Sequence, residues 1–377
     1  MIFFSHMDQL PFHIQEPSFQ LPNNLTVSIL KNKNALPFHQ GLAAYCPTPL
    51  ISLGALAKAI GLGAIYIKDE SYRFDLNAFK GLGASFAIGQ LLEKKPEIEI
   101  FCTATDGNHG RAVAWAAKAA GKKSVVFVPA DTSLNRIKAI EKEGATVVQL
   151  NKNYDDTCAH AERISKINQW ELVQDTAWKG YEEIPADIMA GYLTHFKELE
   201  DSLHGVARPD VDLVFLQVGV GSWAASAAFY YLQRYGKESP LLITVEPDGS
   251  AGFFDSLKNG ERVSPESSSH TIMGGLSCGI PSLSGWEMLK NAVTAAIRIP
   301  DEEAKRAMRQ LYVPLGNDQR VISGESGAAG LAGLLTILQD PAYAGIKEQL
   351  QIGPQTRILL FNTEGNTDEE SFEQIIS

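Results

Sequence analysis

From residue 64 onward, short β-branched apolar runs alternate with helix-length, alanine-rich stretches. AIYIKDE at 64–70 reads as a strand, FKGLGASFAIGQLLEK at 79–94 as a helix, and IEIFCTAT at 98–105 as a strand again. HGRAVAWAAKAAG (109–121), SVVFVP (124–129), LNRIKAIEKEG (134–144) and ATVVQL (145–150) continue the alternation. Strands separated by helix-length crossovers imply right-handed β-α-β units, hence an α/β fold with doubly wound, largely parallel sheets. SVVFVP and DLVFLQVG lack period-two alternation, as strands covered on both faces do. WELVQD, LLITVEP and RILLFNTE add more strands than one small domain needs. The expected division is a large domain made of 1–84 and 195–377, with a smaller domain at 85–194 inserted between its two parts.

Outside this alternation, Pro11, Pro17 and Pro22 punctuate the N-terminal residues, which are expected to lie over the body as an irregular arm. The opening MIFFSHMDQL lacks a basic region and a long apolar core, so it does not read as a secretory signal. No stretch approaches 18 uncharged apolar residues, so no membrane span is expected. The polar, turn-rich segment NGERVSPESSSHT at 259–271 reads as a mobile loop. At 377 residues the chain exceeds what one hydrophobic core supports. The 33 basic and 44 acidic side chains leave a formal charge of -11, which disfavours nucleic acid and anionic membrane surfaces as partners. A bound anion must then be held by local backbone donors. Cys46, Cys102, Cys158 and Cys278 show neither metal-type pairing nor a disulfide scaffold, so a cytoplasmic setting is expected and no metal site is.

Ligands of open α/β sheets sit beyond the carboxyl ends of strands, so residues just after each strand carry the information. In N-A-F-K-G at 77–81, Lys80 opens a helix among apolar and small neighbours. A lysine there is ordinarily a solvated surface residue; a buried one has a lowered pKa, and a neutral amine is what attacks an aldehyde. In T-D-G-N-H-G at 105–110, Asn108 is a candidate hydrogen-bond donor and Asp106 a candidate base, although the plain reading is a strand-to-helix loop capped by Asp106. V-G-V-G-S-W-A-A at 218–225 is a glycine loop whose backbone N–H groups can bind phosphate. Gly219, Gly221 and Ala224 also approximate a dinucleotide fingerprint, with Glu246 where a ribose-binding acid would stand, so an NAD-dependent dehydrogenase is a rival reading. T-E-G-N-T-D at 363–368 places hydroxyls after RILLFN, and Glu325 is expected to open the helix AAGLAGLLTIL.

Lysine first, Asn-bearing glycine turn second, glycine phosphate loop third and hydroxyl turn last is a layout that resembles fold-type-II pyridoxal-phosphate enzymes of the threonine and serine dehydratase group. More narrowly, N-A-F-K (77–80), T-D-G-N-H-G-R (105–111), N-Y-D-D-T (153–157), V-Q-D-T-A-W (173–178) and G-N-D-Q-R-V-I-S-G-E-S-G-A (316–328) are similar to the diaminopropionate ammonia-lyase family. Ordinary dehydratases carry a small uncharged residue where Asp106 stands. Ala112 replaces the final glycine of the family's Asn-His-Gly-Arg-Gly run. The resemblance implies pyridoxal 5'-phosphate carried on Lys80. It places Asn108 at the phenolic oxygen, the backbone of Gly219, Val220, Gly221, Ser222 and Trp223 on the phosphate, and Thr363 at the pyridine nitrogen. It implies elimination from D- and L-2,3-diaminopropionate to pyruvate and two ammonia, with Lys80, Asp106 and Asp175 as catalytic residues, in a homodimer. A serine or threonine dehydratase of the same fold is the alternative within the group.

Overall fold

Chain segments rich in Val, Ile, Leu and Phe form eleven strands among the described residues of the computed structural model, which are 10–105, 107–203, 208–266 and 270–377. They are β1 (Phe12–Ile14), β2 (Leu50–Ser52), β3 (Ala64–Asp69), β4 (Ile100–Ala104), β5 (Lys123–Val128), β6 (Thr146–Gln149), β7 (Glu171–Leu172), β8 (Leu213–Gln217), β9 (Leu241–Pro247), β10 (Ala295–Ile299) and β11 (Arg357–Asn362). Seven make one sheet in the order β1-β10-β9-β8-β11-β3-β2, and four make a second in the order β6-β5-β4-β7. Every pairing is parallel except those of the edge strands β1 and β2. The expected fold class, α/β with two largely parallel sheets, is the one observed.

Alternation within β8 shows why its sequence is apolar throughout. Val214 and Leu216 join a core on one face, with the helices Glu183–Lys197 and Ser222–Tyr235, while Leu213 and Phe215 join a second core beneath Ala329–Gln339. β11 divides in the same way, with Leu359 and Phe361 on one side and Ile358 and Leu360 on the other. Such strands need cover on both faces, which the crossover helices provide.

Chain order sets the division between the sheets. The helix Lys80–Lys94 leads out of the larger sheet, all four strands of the smaller one follow between 100 and 172, and the helix Glu183–Lys197 leads back. The positions 84/85 and 194/195 lie inside these two helices. Residues Pro185 to Phe196 of the return helix are all buried; Thr194 Oγ1 lies 2.6 Å from His39 Nδ1, and His195 Nε2 accepts from Trp223 Nε1 at 3.0 Å.

Three expectations change. The N-terminal arm is not wholly irregular, because Phe12–Ile14 pairs antiparallel with β10 and covers that strand's open edge. WELVQD contributes only Glu171 and Leu172 as strand, since the chain turns toward the cleft after Val173. β10, in TAAIRIP, carries no glycine or long β-branched run and escaped the sequence pattern. The loop expected at 259–271 includes 267–269, which lie outside the described residues.

Candidate active site

β3 runs into the short helical turn Glu70–Asp75, where Phe74 and Asp75, and then Asn77, take φ of +56°, +58° and +53°. Left-handed backbone at three non-glycine positions is costly and persists only when the surroundings impose it. Here the fully buried Arg73 does so: its guanidinium donates to Glu70 at 2.8 and 2.9 Å and to both Glu198 oxygens at 2.9 Å. The turn delivers Lys80 as first residue of its helix, with Nζ 2.5 Å from Asp175 Oδ2 and 5.3 Å from the Phe79 ring centroid.

This pair corrects the expectation of a neutral amine. Burial is the largest influence on Lys80 and disfavours the ammonium, but Asp175, with Tyr192, outweighs it and raises the pKa above the ordinary lysine value. Burial likewise works against the Asp175 carboxylate, yet His109 and Lys80 hold it down to about 2. His109 donates from Nε2 to the Val173 carbonyl at 2.8 Å, leaving Nδ1 buried, 3.7 Å from Asp175 Oδ2 and without a hydrogen-bond partner. Burial pushes the His109 pKa below its usual value, so Lys80 carries the positive charge of this trio at neutral pH.

Across the cleft, β8 ends at Gln217 and the chain turns through Val218–Gly221 into the helix Ser222–Tyr235. Gly221 caps that helix with φ +91°, a conformation L side chains rarely adopt. Gly219 is required for a different reason: a Cβ there would lie 3.0 Å from Gly275 O and from Cys278 Sγ. The first amides of the helix have no intrahelical acceptor. The side chains are otherwise engaged, Ser222 Oγ donating to the Asp175 carbonyl at 2.5 Å and the Trp223 indole to His195, so what Ser222 and Trp223 offer an anion is backbone.

Thr363 follows β11, and its Oγ1 accepts from Gln217 Nε2 at 3.0 Å. Asn108 opens the helix Asn108–Ala119 beyond β4, and its Nδ2 donates to Glu364. The strand ends of both sheets thus meet over one cleft of about 730 Å³, lined among others by Lys80, Asn108, Asp175, Gly219, Val220, Gly221, Ser222, Trp223 and Thr363. Asp106 lies outside the described residues. His109, Tyr154, Gln217 and Glu364 line the cleft too and were not singled out from the sequence; His109, Tyr154 and Glu364 sit inside motifs that were.

Two expectations fail on geometry. Glu246 is not free for a ribose: its oxygens accept from the amides of Phe253 and Phe254 at 2.8 and 2.7 Å, capping the helix Gly252–Asn259, and it is 1% exposed. That removes the acid on which the dehydrogenase reading depended. Glu325 does not open a helix, since the helix begins at Ala329; its carboxylate instead accepts from Ser371 Oγ. Burial and the neighbouring Glu364 raise its pKa.

A phosphorylated aromatic aldehyde fits what is present. The cleft offers an amine for the aldehyde, a glycine-lined helix start for the phosphate and a hydroxyl after β11 for a ring nitrogen, while Gln217 Oε1 is buried without a hydrogen-bond partner. Residues 42–362 match the model of a family described as pyridoxal-phosphate dependent enzyme. The chain is 39% identical over 361 residues to diaminopropionate ammonia-lyase of Escherichia coli strain K12, covering 91% of this chain and 90% of that one. The crystal structure of the Escherichia coli diaminopropionate ammonia lyase in complex with an aminoacrylate-PLP azomethine reaction intermediate superposes with a TM-score of 0.88 at 38% identity, over 97% of each chain. The same enzyme in complex with D-serine gives the same TM-score, 0.88, with 97% of each chain covered.

Proposed function

Because this chain belongs to the diaminopropionate ammonia-lyase family of pyridoxal-phosphate-dependent enzymes, we propose that its cleft eliminates ammonia from 2,3-diaminopropionate, which with one water gives pyruvate and two ammonia. The observation that carries the reading is the buried pair of Lys80 and Asp175, 2.5 Å apart, facing the glycine-lined start of the helix Ser222–Tyr235. Lys80 would hold the cofactor, the amides of Gly219–Trp223 its phosphate, Asn108 its phenolic oxygen and Thr363 its ring nitrogen. When bound, pyridoxal phosphate supplies the electron sink that makes a substrate α-proton acidic.

The protein's own groups do the rest. Thr363 Oγ1 takes its hydrogen bond from Gln217, which leaves the hydroxyl proton to donate to a ring nitrogen without protonating it. A ring not held protonated is a weaker sink, which favours prompt β-elimination over transamination. Lys80, once its amine is free, takes the α-proton presented on its own face. An amine leaves readily only as an ammonium, and the Asp175 carboxylate, an opposite charge at the cleft, would keep a nearby β-amine protonated. Ser222 Oγ fixes the Asp175 backbone against the phosphate-binding helix, so acid and anion site move as one body. Asp106 is assigned the α-proton of the D-isomer, on the face Lys80 cannot reach.

A cytoplasmic homodimer belongs to the same reading, and sedimentation of the purified protein tests the dimer. No described helix is long and apolar enough to cross a membrane. The decisive assay is a panel of D- and L-diaminopropionate, serine and threonine scored for ammonia and keto acid together. Two ammonia per pyruvate from diaminopropionate, at a kcat/KM well above that for serine, is expected. A site built around a buried polar partner discriminates strongly against analogues that leave it unpaired. Serine as the better substrate would overturn the assignment in favour of a dehydratase.

A further inference from the structure

The reading above leaves one buried carboxylate of the cleft without a task. Glu364 follows Thr363, is 6% exposed and lines the cleft. Its backbone is pinned on every side: it bridges Ala78, its carbonyl accepts from Gly324 N at 3.0 Å, Phe79 N donates to Thr363 O at 3.2 Å and Gly365 N to Asn77 O at 2.8 Å. One carboxylate oxygen accepts from Ser326 N at 3.0 Å, and the other accepts from Nδ2 of Asn108. Ser326 is itself fixed, its Oγ accepting from Gly275 N at 3.0 Å. Glu364 is thus anchored to the larger sheet and to the start of the Lys80 helix, while Asn108 opens a helix that packs on the smaller sheet.

We infer that Glu364 is a positioning residue that sets which end of the Asn108 amide faces the cofactor site. A side-chain amide is nearly symmetric in shape, and without a discriminating partner it can turn over, exchanging donor for acceptor. A carboxylate that already takes N–H donors only accepts, so it selects the NH2 end of Asn108. Held in this way, Asn108 keeps its second N–H for the phenolic oxygen which the proposed function assigns to it; the inference rests on that assignment. Both Glu364 oxygens carry a protein donor, and of the two it is Asn108 that donates from a side chain lining the cleft.

The test uses the holoenzyme without substrate and follows the pH titration of the cofactor's visible band, with the melting temperature as the check on folding. Asn108→Ala is expected to move the titration midpoint by on the order of one pH unit, the size of one hydrogen bond to a titrating group. Glu364→Gln, equal in size but able to present an NH2 group, moves it in the same direction, Glu364→Asp moves it less, and the double variant Asn108→Ala/Glu364→Gln moves it no further than Asn108→Ala alone. A wild-type midpoint in Glu364→Gln beside a shifted one in Asn108→Ala overturns the inference while leaving the cofactor assignment standing. Additive shifts in the double variant overturn it equally, and so does a Glu364→Asp shift as large as that of Glu364→Gln. An unmoved midpoint in Asn108→Ala removes the assignment of Asn108 and this inference with it.

Discussion

Replacing Asp175 by asparagine separates what this carboxylate does for Lys80 from what it does for the substrate. Asp175 Oδ2 stands 2.5 Å from Lys80 Nζ, with the two side chains 5% and 17% exposed. Burial disfavours the lysine ammonium, and the carboxylate reverses that balance; asparagine leaves burial unopposed, so the Lys80 pKa falls. Removing one partner of a buried pair costs about 3–5 kcal/mol. At about 1.4 kcal/mol per unit that is roughly 2–4 pKa units, and partial solvent access to Nζ favours the lower end. Only the neutral amine attacks an aldehyde, so at a fixed pH the reactive fraction rises on the order of 100-fold, until it saturates. Stopped-flow absorbance of apoprotein mixed with pyridoxal phosphate across pH reads this directly. The Asp175→Asn variant is expected to capture the cofactor faster, with a profile displaced toward acid, and to eliminate ammonia from diaminopropionate more slowly because nothing holds the β-amine protonated. A wild-type capture profile, or undiminished elimination, would refute the reasoning.

Three further outcomes are expected. Arg73→Met leaves Glu70 buried with its counter-charge gone and should lower stability by about 3–5 kcal/mol in urea unfolding; a loss under about 1 kcal/mol, typical of surface pairs, would show that the network does not impose the turn before Lys80. Gly221→Ala meets no close atom but must hold φ +91°, so it should cost about 1–2 kcal/mol and weaken cofactor binding, and unaltered affinity would remove the phosphate from this turn. Asp106→Asn should reduce turnover of D-diaminopropionate by roughly 10²–10⁴ while sparing most L-isomer turnover, the usual size of one general base; equal losses on the two enantiomers would reassign Asp106 to substrate binding.

What could be read from the sequence was local. Strands covered on both faces announce themselves as unbroken apolar runs, as in β5 and β8, and β3, β4, β6, β9 and β11 are legible as short strand-like segments between helix-length ones. The residues that follow those strands were found with them, because a strand end is also a place in the chain: Lys80, Asn108, Gly219–Trp223 and Thr363 line one cleft for that reason. β10 and the edge strands β1 and β2 lacked such runs. Glu246 shows the limit of local reading. A glycine loop followed by an acid at the next strand end looks the same whether the acid meets a ribose or caps a helix, and only the amides of Phe253 and Phe254 decide between the two.

The same limit explains why the sequence points to the cleft position of Lys80 but not to its charge. Burial is visible in a sequence, because apolar neighbours cluster around the position, and burial alone would lower a lysine pKa. The sign depends on the partner, and Asp175 lies 95 residues away, just after the last strand of the smaller sheet. Asn108 and Glu364, 256 residues apart, pose the same problem, for no spacing rule connects them and yet they meet in a hydrogen bond at the cleft. In this fold the strand order places each group of the cleft within its own segment, whereas the charge of Lys80 and the orientation of Asn108 are set by residues that arrive from the other sheet. The chemistry is therefore coupled to how the two sheets are held together, and a substitution such as Ser222→Ala, which unties Asp175 from the helix Ser222–Tyr235, acts on Lys80 without touching it.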